Sequence, residues 1–341
     1  MLVKNCVMSL IAGGFALLVS NAQAAPPELA LPIQCVIGTD CWLVNYVDRD
    51  PGPAVRDFAC GQHSYDGHKG TDFVLPDMAT MRAGVPVLAS ASGVVRGFRD
   101  EMRDVNINKI GREAVKGREC GNGVVLVHDD GWETQYCHMR RGSVVVKAGD
   151  HIKQGDKLGS VGLSGLTEMP HVHLSVRHNG NVIDPFDYRE TPSDNSICDP
   201  SARRTTLWTD DQNLTTSLPK SAIYLSGFAS EVPNIEKARD GAYSSLTFNQ
   251  NAKALVFWAD MFWVQASDKI FMDITMPDGS ILIDKIDTPP NLQARRILFI
   301  GKKNKGKPWP AGRYVGNVKI QRLLKDGSVQ TMTSSRTLLI Q

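Results

Sequence analysis

Three short segments of this chain carry residue types that bind metal ions and move protons. His68 and Asp72 lie four positions apart, and the segment His171-Val172-His173 follows about a hundred residues later. A catalytic zinc ion takes three protein ligands from His, Asp or Glu and keeps its fourth position open for water. These residues therefore offer the three ligands of a hydrolytic zinc site and leave one histidine over.

The elements that must position these residues can be predicted from the surrounding pattern. The run Leu174-Ser175-Val176-Arg177 alternates in polarity and predicts a strand. Positions i and i+2 of a strand share a face, so both imidazoles of the second segment are expected to face one groove, with Val172 on the opposite side. Gly67 and Gly70 disfavour a helix around the first pair, and we expect a loop or the start of a strand there.

A fourth histidine, His138, ends another predicted strand that begins at Glu133. Imidazole suits acid–base chemistry near neutral pH. Each short pattern alone occurs often by chance. The combination of patterns in this order, with His138 between them, favours a metal site over unrelated surface residues. Four other histidines lie in turn-like or polar contexts and are predicted to be solvated or capping residues: His63, His128, His151 and His178.

Three motifs of the chain resemble the signature motifs of the lysostaphin-type (LytM-like) zinc metallopeptidases, which cut peptide bonds in bacterial peptidoglycan. These motifs are Gly67-His68-Lys69-Gly70-Thr71-Asp72, Tyr136-Cys137-His138 and His171-Val172-His173. The resemblance extends from about Leu31 to Tyr188. It implies one Zn²⁺ held by His68, Asp72 and His173, with His138 and His171 as the catalytic pair. Which of the two is the general base stays open, and Tyr65 stands at a different offset from the family's tyrosine.

The resemblance implies an exported zinc metalloendopeptidase that hydrolyses peptide cross-links of peptidoglycan, with the D-alanyl–diaminopimelate bond as the expected target in a periplasm. The alternative is a non-catalytic LytM-like activator of a cell-wall amidase, because some relatives that lost metal ligands act in that way. The complete five-residue set speaks against that alternative. A third hypothesis is a wall-binding or glycan-binding protein that acts through its C-terminal domain, although no recognisable wall-binding repeat supports it.

The first 24 residues predict a signal peptide. Lys4 precedes a mostly apolar run from Cys6 to Ser20, and Ala22-Gln23-Ala24 fits a cleavage site. The run is too short for a comfortable membrane span, so we expect a periplasmic or secreted protein that begins near Ala25, with no membrane span. Lys and Arg (38) nearly balance Asp and Glu (36). Nothing favours a nucleic-acid partner; peptidoglycan peptide stems are the expected partner.

Six cysteines follow the predicted signal peptide, and an even number in an exported chain predicts disulfides. Cys35 and Cys41 are expected to close a small loop. The sequence does not choose among the other pairings, although Cys198 is a candidate to tie the following linker back to the first domain. Cys137 is expected to face away from the groove that His138 faces, in a disulfide or in the core. The six are Cys35, Cys41, Cys60, Cys120, Cys137 and Cys198.

The length of 341 residues predicts two domains, and the pattern of short strands predicts an all-β protein. We expect an irregular lead-in over residues 25–53, an antiparallel β-sheet metallopeptidase domain over 54–188 and a polar linker over 189–205. Residues 206–341 are expected to form an immunoglobulin-like β-sandwich, because short strands alternate there with Asp-Gly turns. Residues 25–187 are expected to act without the second domain, unless Cys198 pairs back into the first domain.

Two further segments bear on this division. The aromatic residues Phe257, Trp258, Phe262 and Trp263 are predicted to fill the sandwich core rather than to bind a ligand. The highly charged segment from Arg99 to Glu119 is either a solvated surface loop or a wall of the substrate groove. It enters just before the hairpin that carries His138, so both descriptions can hold.

Overall fold

The computed structural model describes residues 25–188, 198–199, 203–209, 214, 221–324 and 326–341. The predicted signal peptide and most of the predicted linker lie outside these residues. The described part is an all-β protein, as predicted, with short helices between strands. Within it, no helix has the length and apolar character that a bilayer crossing requires.

The first unit is built on one large antiparallel sheet in the order β1-β2-β9-β6-β5-β4-β7, with β10 added beside β9, and on a separate β3–β8 pair. Its strands are β1 (Trp42–Leu43), β2 (Thr71–Val74), β3 (Pro86–Leu88), β4 (Gly93–Arg99), β5 (Asn122–Val127), β6 (Trp132–Met139), β7 (His151–Ile152), β8 (Lys157–Ser160), β9 (His171–His178) and β10 (Asn181–Ile183).

Strand β9 shows how the sequence sets the two faces of this sheet. Val172, Leu174 and Val176 alternate along it and are buried in the hydrophobic core. The intervening His171 and His173 are therefore on the opposite face, as the alternation predicts. The predicted hairpin is present as β5 and β6, which pair side by side.

The second unit consists of a three-stranded sheet, β11-β13-β16, and a five-stranded sheet, β12-β18-β17-β14-β15. Both contribute to one hydrophobic cluster, in which Phe257 from the first sheet packs with Ile320 and Leu338 from the second. This supports the predicted sandwich; its immunoglobulin-like kind stays a prediction. The strands are β11 (Ala222–Ala229), β12 (Thr247–Phe248), β13 (Ala254–Val264), β14 (Lys269–Thr275), β15 (Ile281–Asp287), β16 (Gln293–Lys303), β17 (Gly312–Leu323) and β18 (Val329–Ile340).

The helices are short and lie in connections. They are α1 (Met78–Ala83), α2 (Ile107–Ile110) and α3 (Ile235–Arg239), with 3₁₀ turns at Arg112–Val115 and Asp129–Gly131. Each α-helix begins at an Asp or Asn whose side chain accepts a hydrogen bond from a backbone N–H of the first turn, the usual N-cap arrangement.

The segments predicted to flank the first unit contribute to it. Residues 25–53 contribute strand β1 to its sheet, and Leu29 and Ile33 to its core. Leu207 and Trp208, predicted to begin the second domain, also pack in that core. These contacts join segments that are distant in sequence. The polar composition around each segment gave no sign that its apolar side chains are buried in the first unit.

Candidate metal centre

Three side chains converge where strand β2 lies beside strand β9. Asp72 on β2 is directly opposite His173 on β9, and His68 reaches the same point from the loop before β2. His173 Nδ1 lies 2.8 Å from Asp72 Oδ1 and 3.1 Å from His68 Nε2, and His68 Nε2 lies 3.2 Å from Asp72 Oδ1. The residues that the resemblance implies as metal ligands therefore form one compact cluster of two nitrogens and one oxygen.

His68 is oriented by a backbone carbonyl. Its Nδ1 lies 2.7 Å from the Tyr46 oxygen, and because a carbonyl only accepts, that nitrogen carries a proton. In the neutral ring, Nε2 is then an acceptor facing Asp72 Oδ1, another acceptor. Two facing acceptors need a proton or a metal cation between them. A metal-binding histidine usually donates its other ring N–H to such a carbonyl.

The second oxygen of Asp72 is held by Asn45. The Asn45 side-chain amide donates to Asp72 Oδ2 at 2.8 Å, and the Asp72 backbone N–H donates to the Asn45 carbonyl at 3.0 Å. These contacts fix the carboxylate and leave Oδ1 toward the imidazoles. Sequence reasoning missed Asn45 and Tyr46, because each lies more than twenty residues before its partner and no local motif marks it.

Gly70 makes room for the ring of His173. A Cβ atom added at Gly70 would lie 2.5 Å from His173 Nε2 and 2.5 Å from the carbonyl oxygen of Leu174. Both distances are far below van der Waals contact, and the Leu174 oxygen belongs to the backbone of β9. A glycine is therefore required at position 70 because strand β9 passes so close to it. From the sequence alone, Gly70 indicates only that a helix is disfavoured there.

His138 and His171 lie beside the cluster with the same orientation. His138 Nδ1 lies 2.8 Å from the Ser164 carbonyl, and His171 Nδ1 lies 2.9 Å from the Met169 carbonyl. Each ring therefore donates through Nδ1, and Nε2 is the acceptor nitrogen of the neutral ring. The two ring centroids are 4.6 Å apart, and His171 Nε2 lies 3.5 Å from Asp72 Oδ1. The structure thus brings all five predicted residues together.

Burial and mutual charge set the protonation of this cluster. Burial alone would raise the pKa of Asp72, but the neighbouring His68 and His171 imidazoles hold it well below its usual range. Burial lowers the pKa of His138 well below its usual range, and charge on His171 and His173 lowers it further. Burial would likewise lower the pKa of His68, but the Asp72 carboxylate raises it overall. His138 therefore stays a neutral acceptor at neutral pH.

The charged segment over residues 99–119 is a structural wall beside these histidines. Asp104 Oδ1 accepts from the Leu163 backbone N–H at 2.8 Å, and the Ile107 N–H donates to the Thr167 carbonyl at 2.9 Å. Thr167 in turn lies 3.1 Å from His171 Nδ1 through its hydroxyl oxygen. The segment thus holds the loop that orients His171, while many of its charged side chains remain exposed.

The disulfides include the predicted pair Cys35–Cys41 and add Cys60–Cys198 and Cys120–Cys137. Cys137 is therefore a disulfide cysteine and not a thiolate ligand. It lies directly opposite His173 in the β6–β9 pairing, and opposed residues of an antiparallel pair share a face, so the expectation that Cys137 faces away from the groove was wrong. The Cys120 carbonyl also accepts from the His138 backbone N–H at 2.8 Å. His138 has a φ of 60°, a left-handed conformation that is uncommon for residues other than glycine.

The remaining histidines divide into two groups. His151 is exposed, as predicted. His63 instead lies 2.8 Å from the buried Asp57 carboxylate, and His128 lies between the Ser92 carbonyl and the Thr134 hydroxyl. His178 stacks on Trp132 at 4.5 Å. The polar residues that surround His63, His128 and His178 along the chain offered no sign of these contacts. Tyr65 places its ring 4.4 Å from that of His68 and is about half exposed.

Comparison with known proteins agrees with the motifs. Residues 66–185 match the model of peptidase family M23. Over 125 residues the chain is 31% identical to the DD-carboxypeptidase/endopeptidase Mpg of Neisseria meningitidis, covering 36% of this chain and 23% of that protein. It is also 31% identical over 113 residues to the peptidoglycan DD-endopeptidase ShyC of Vibrio cholerae, covering 33% and 21%. The chain thus spans less than a quarter of the length of these two relatives.

Solved structures that resemble this chain include the catalytic domain of lysostaphin from Staphylococcus simulans. It is 25% identical, with a TM-score of 0.26, and the match covers 41% of this chain and 85% of that one. The catalytic domain of the prophage-encoded M23 protein EnpA from Enterococcus faecalis is 24% identical, with a TM-score of 0.31, covering 44% and 92%. The motifs and the family model agree: residues 66–185 match peptidase family M23, whose lysostaphin-type members the three motifs resemble.

Proposed function

We propose that this protein is a zinc-dependent endopeptidase that hydrolyses peptide cross-links of bacterial peptidoglycan outside the cytoplasm. The observation that carries the proposal is the convergence of His68, Asp72 and His173 beside two further histidines that hydrogen-bond backbone carbonyls through Nδ1. Three ligands beside proton-accepting groups describe a hydrolytic metal site, because a structural zinc site usually has four protein ligands.

The donor set suits zinc. Two imidazole nitrogens and one carboxylate oxygen are ligands that Zn²⁺ accepts in catalytic sites. The carbonyl of Tyr46 and the amide of Asn45 orient His68 and Asp72 from outside, so the ligand atoms are held before any metal arrives. When bound, zinc supplies Lewis acidity, which polarises a scissile carbonyl and makes water a stronger nucleophile at neutral pH.

The proton-transfer roles fall to His138 and His171. Their Nδ1 protons are committed to the carbonyls of Ser164 and Met169, so proton exchange with the substrate occurs at Nε2. One ring accepts a proton at Nε2 from the attacking water and passes it to the leaving amine, and the other, when its Nε2 also carries a proton, donates a hydrogen bond to the oxygen on which negative charge develops. Both rings hydrogen-bond a backbone carbonyl through Nδ1, and this shared arrangement does not distinguish the general base from the oxyanion donor.

The substrate class follows from the family motifs and from the names of the relatives, two of which are DD-endopeptidases by description. We assign the D-alanyl–diaminopimelate cross-link as the bond cleaved. Residues 1–24 serve as the signal peptide in this proposal, and the three disulfides support an oxidising compartment.

The decisive test is digestion of isolated sacculi by the purified mature protein, with products identified by mass. Dimeric muropeptides should fall to monomers, and a chelator should stop the reaction. His138→Ala should be inactive, whereas His151→Ala, which removes an exposed histidine on β7, should match the unmodified protein. Unchanged sacculi that are digested only when an amidase is added would support the activator alternative and overturn the proposal.

A further inference from the structure

We infer that the second unit positions the metal-binding residues of the first, through Trp263 and Tyr224. This inference rests on the proposed function. The two side chains project from β13 and β11 into a hydrophobic cluster that both units share. From the first unit the cluster contains Trp42, Val44 and Val74, and from the second unit it contains Ala222, Tyr224, Phe262 and Trp263.

Trp263 acts on the peptide that carries Asn45. Its indole Nε1 donates to the Val44 carbonyl at 2.6 Å. That carbonyl belongs to the same planar peptide group as the Asn45 backbone nitrogen, and Asn45 is the residue that holds Asp72 Oδ2. The Val44 N–H, in the preceding peptide group, also donates to the Asp72 carbonyl at 3.1 Å, so we expect a shift of residues 44–45 to displace the Asp72 carboxylate.

Tyr224 acts on the junction between the two strands that carry the cluster. Its hydroxyl donates to the Leu75 carbonyl at 2.5 Å, directly after β2. The Leu75 N–H donates to the Pro170 carbonyl at 2.9 Å, directly before His171 on β9. Tyr224 therefore fixes the point at which these strands enter the site.

Met169 extends the same support to His171. Its side chain packs against the shared cluster, while its carbonyl accepts from His171 Nδ1. The shared cluster thus contacts a residue whose backbone carbonyl orients one of the two proton-transfer histidines. The three contacts reach Asp72, the β2–β9 junction and His171 by separate routes.

The backbone of Trp263 has an uncommon conformation, and neighbouring side chains hold it with the indole directed toward the first unit. Its φ is 55°, a left-handed conformation that is uncommon for a bulky residue. The Trp263 carbonyl is held by the Ser221 hydroxyl at 2.5 Å and by the Arg322 guanidinium at 3.3 Å. Conformations of this kind persist where the surroundings over-determine them, often at functional contacts.

The consequence contradicts the expectation that residues 25–187 act alone. Without the second unit, Val44 and Leu75 lose the donors described above, and Val74 and Trp42 lose their apolar cover. The metal-binding residues would keep their sequence but lose the supports that fix their geometry.

The test compares paired substitutions in the full-length protein. Trp263→Phe and Tyr224→Phe each remove one donor at the shared cluster. Trp309→Phe and Tyr314→Phe are matched controls, because Trp309 donates to Ala252 at 2.9 Å and Tyr314 to Pro310 at 3.1 Å within the second unit. Zinc affinity is measured by competition with a chelator, and kcat and KM are measured on a soluble dimeric muropeptide.

Outer contacts of metal ligands typically contribute about 10–100-fold to metal affinity or activity. We expect Trp263→Phe to weaken zinc binding about tenfold and Tyr224→Phe to lower kcat with little change in KM, while both controls keep wild-type zinc affinity even if they melt earlier. Two results together would overturn the inference. The first is equal zinc affinity in Trp263→Phe and its control Trp309→Phe, and the second is equal kcat in Tyr224→Phe and its control Tyr314→Phe. If Trp263→Phe does not fold, the Tyr224 pair decides. An unmodified protein that binds no zinc would instead refute the proposed function.

Discussion

Two buried carboxylates, one in each unit, are paired with side chains of different chemistry. In the second unit, Asp268 is fully buried and receives two hydrogen bonds of 2.7 Å from the Arg322 guanidinium, a bidentate pair with a permanent cation. In the first unit, Asp72 is equally enclosed, but its ion-pair partners are the imidazoles of His68, His171 and His173.

This difference separates a structural ion pair from a candidate reaction site. Arg322 neutralises Asp268 at every accessible pH, because a guanidinium does not lose its proton in proteins. An imidazole, unlike a guanidinium, can lose its proton in the physiological pH range and then offers an acceptor nitrogen. Burial of a charged group is therefore not by itself a sign of function. A buried carboxylate whose neighbours can each give up a proton is the informative case.

The largest expected effect comes from breaking the first region at its HxH motif. We expect His173→Ala to lose zinc and activity together. His171→Ala should keep near-stoichiometric zinc and lose about 10²–10⁴-fold in rate, the usual contribution of acid–base catalysis. Bound zinc and muropeptide cleavage are measured after circular dichroism confirms folding. Loss of zinc in His171→Ala but not in His173→Ala would mean that His171 is the ligand and His173 the catalyst. Full activity in both variants would refute the metallopeptidase proposal.

Breaking the second region should affect stability first. Arg322→Met leaves Asp268 buried without its cation, and removal of one partner of a buried pair costs about 3–5 kcal/mol of unfolding free energy. Urea denaturation measures this loss. The double variant Arg322→Met/Asp268→Leu should recover a large part of it, since an apolar replacement of both partners is often neutral. No recovery would mean that Arg322 stabilises the fold mainly through Ser221 and Trp263.

A third buried carboxylate sharpens the comparison through pH. Asp184 Oδ2 has no hydrogen-bond partner among the described residues, and burial raises the pKa of Asp184 from 3.8 to about 7. Between these values the folded protein keeps a proton that the unfolded chain releases, so the free energy of unfolding falls as pH rises, by at most about 4 kcal/mol.

Urea denaturation at about pH 4.5 and pH 8 tests this expectation. Asp184→Asn cannot ionise, so its stability should change less between the two pH values than that of the unmodified protein. An identical pH dependence in both proteins would assign the effect to other groups.

The smallest expected effect concerns the space around His173. Gly70→Ala forces a Cβ against His173 and the β9 backbone, and we expect zinc affinity to fall about tenfold, comparable to loss of an outer contact of a metal ligand. Gly97→Ala on β4 is the matched control, because a Cβ there meets nothing within 4 Å. Equal zinc affinity in the two variants would show that β9 can move aside.

Short-range periodicity explains what the sequence predicted well. Alternation along β9 placed both histidines of the HxH motif on one face, because side-chain direction in a strand depends only on parity. Asn45 and Tyr46 escaped prediction because their contacts depend on how the segment before β2 folds back over it. Trp263 was predicted to be core and is buried, but it packs against the first unit, and no periodicity distinguishes one apolar neighbour from another.

The disulfide between Cys60 and Cys198 spans 138 positions and turns most of the first unit into a covalent ring. His68, Asp72, His138, His171 and His173 all lie inside that ring. In the chain-entropy model, a loop of this length restricts the unfolded chain by about 5 kcal/mol. A single backbone cut in an exposed turn within the ring would open it without releasing either piece. The enclosed residues would remain tethered, and a nicked molecule would separate into fragments only after reduction.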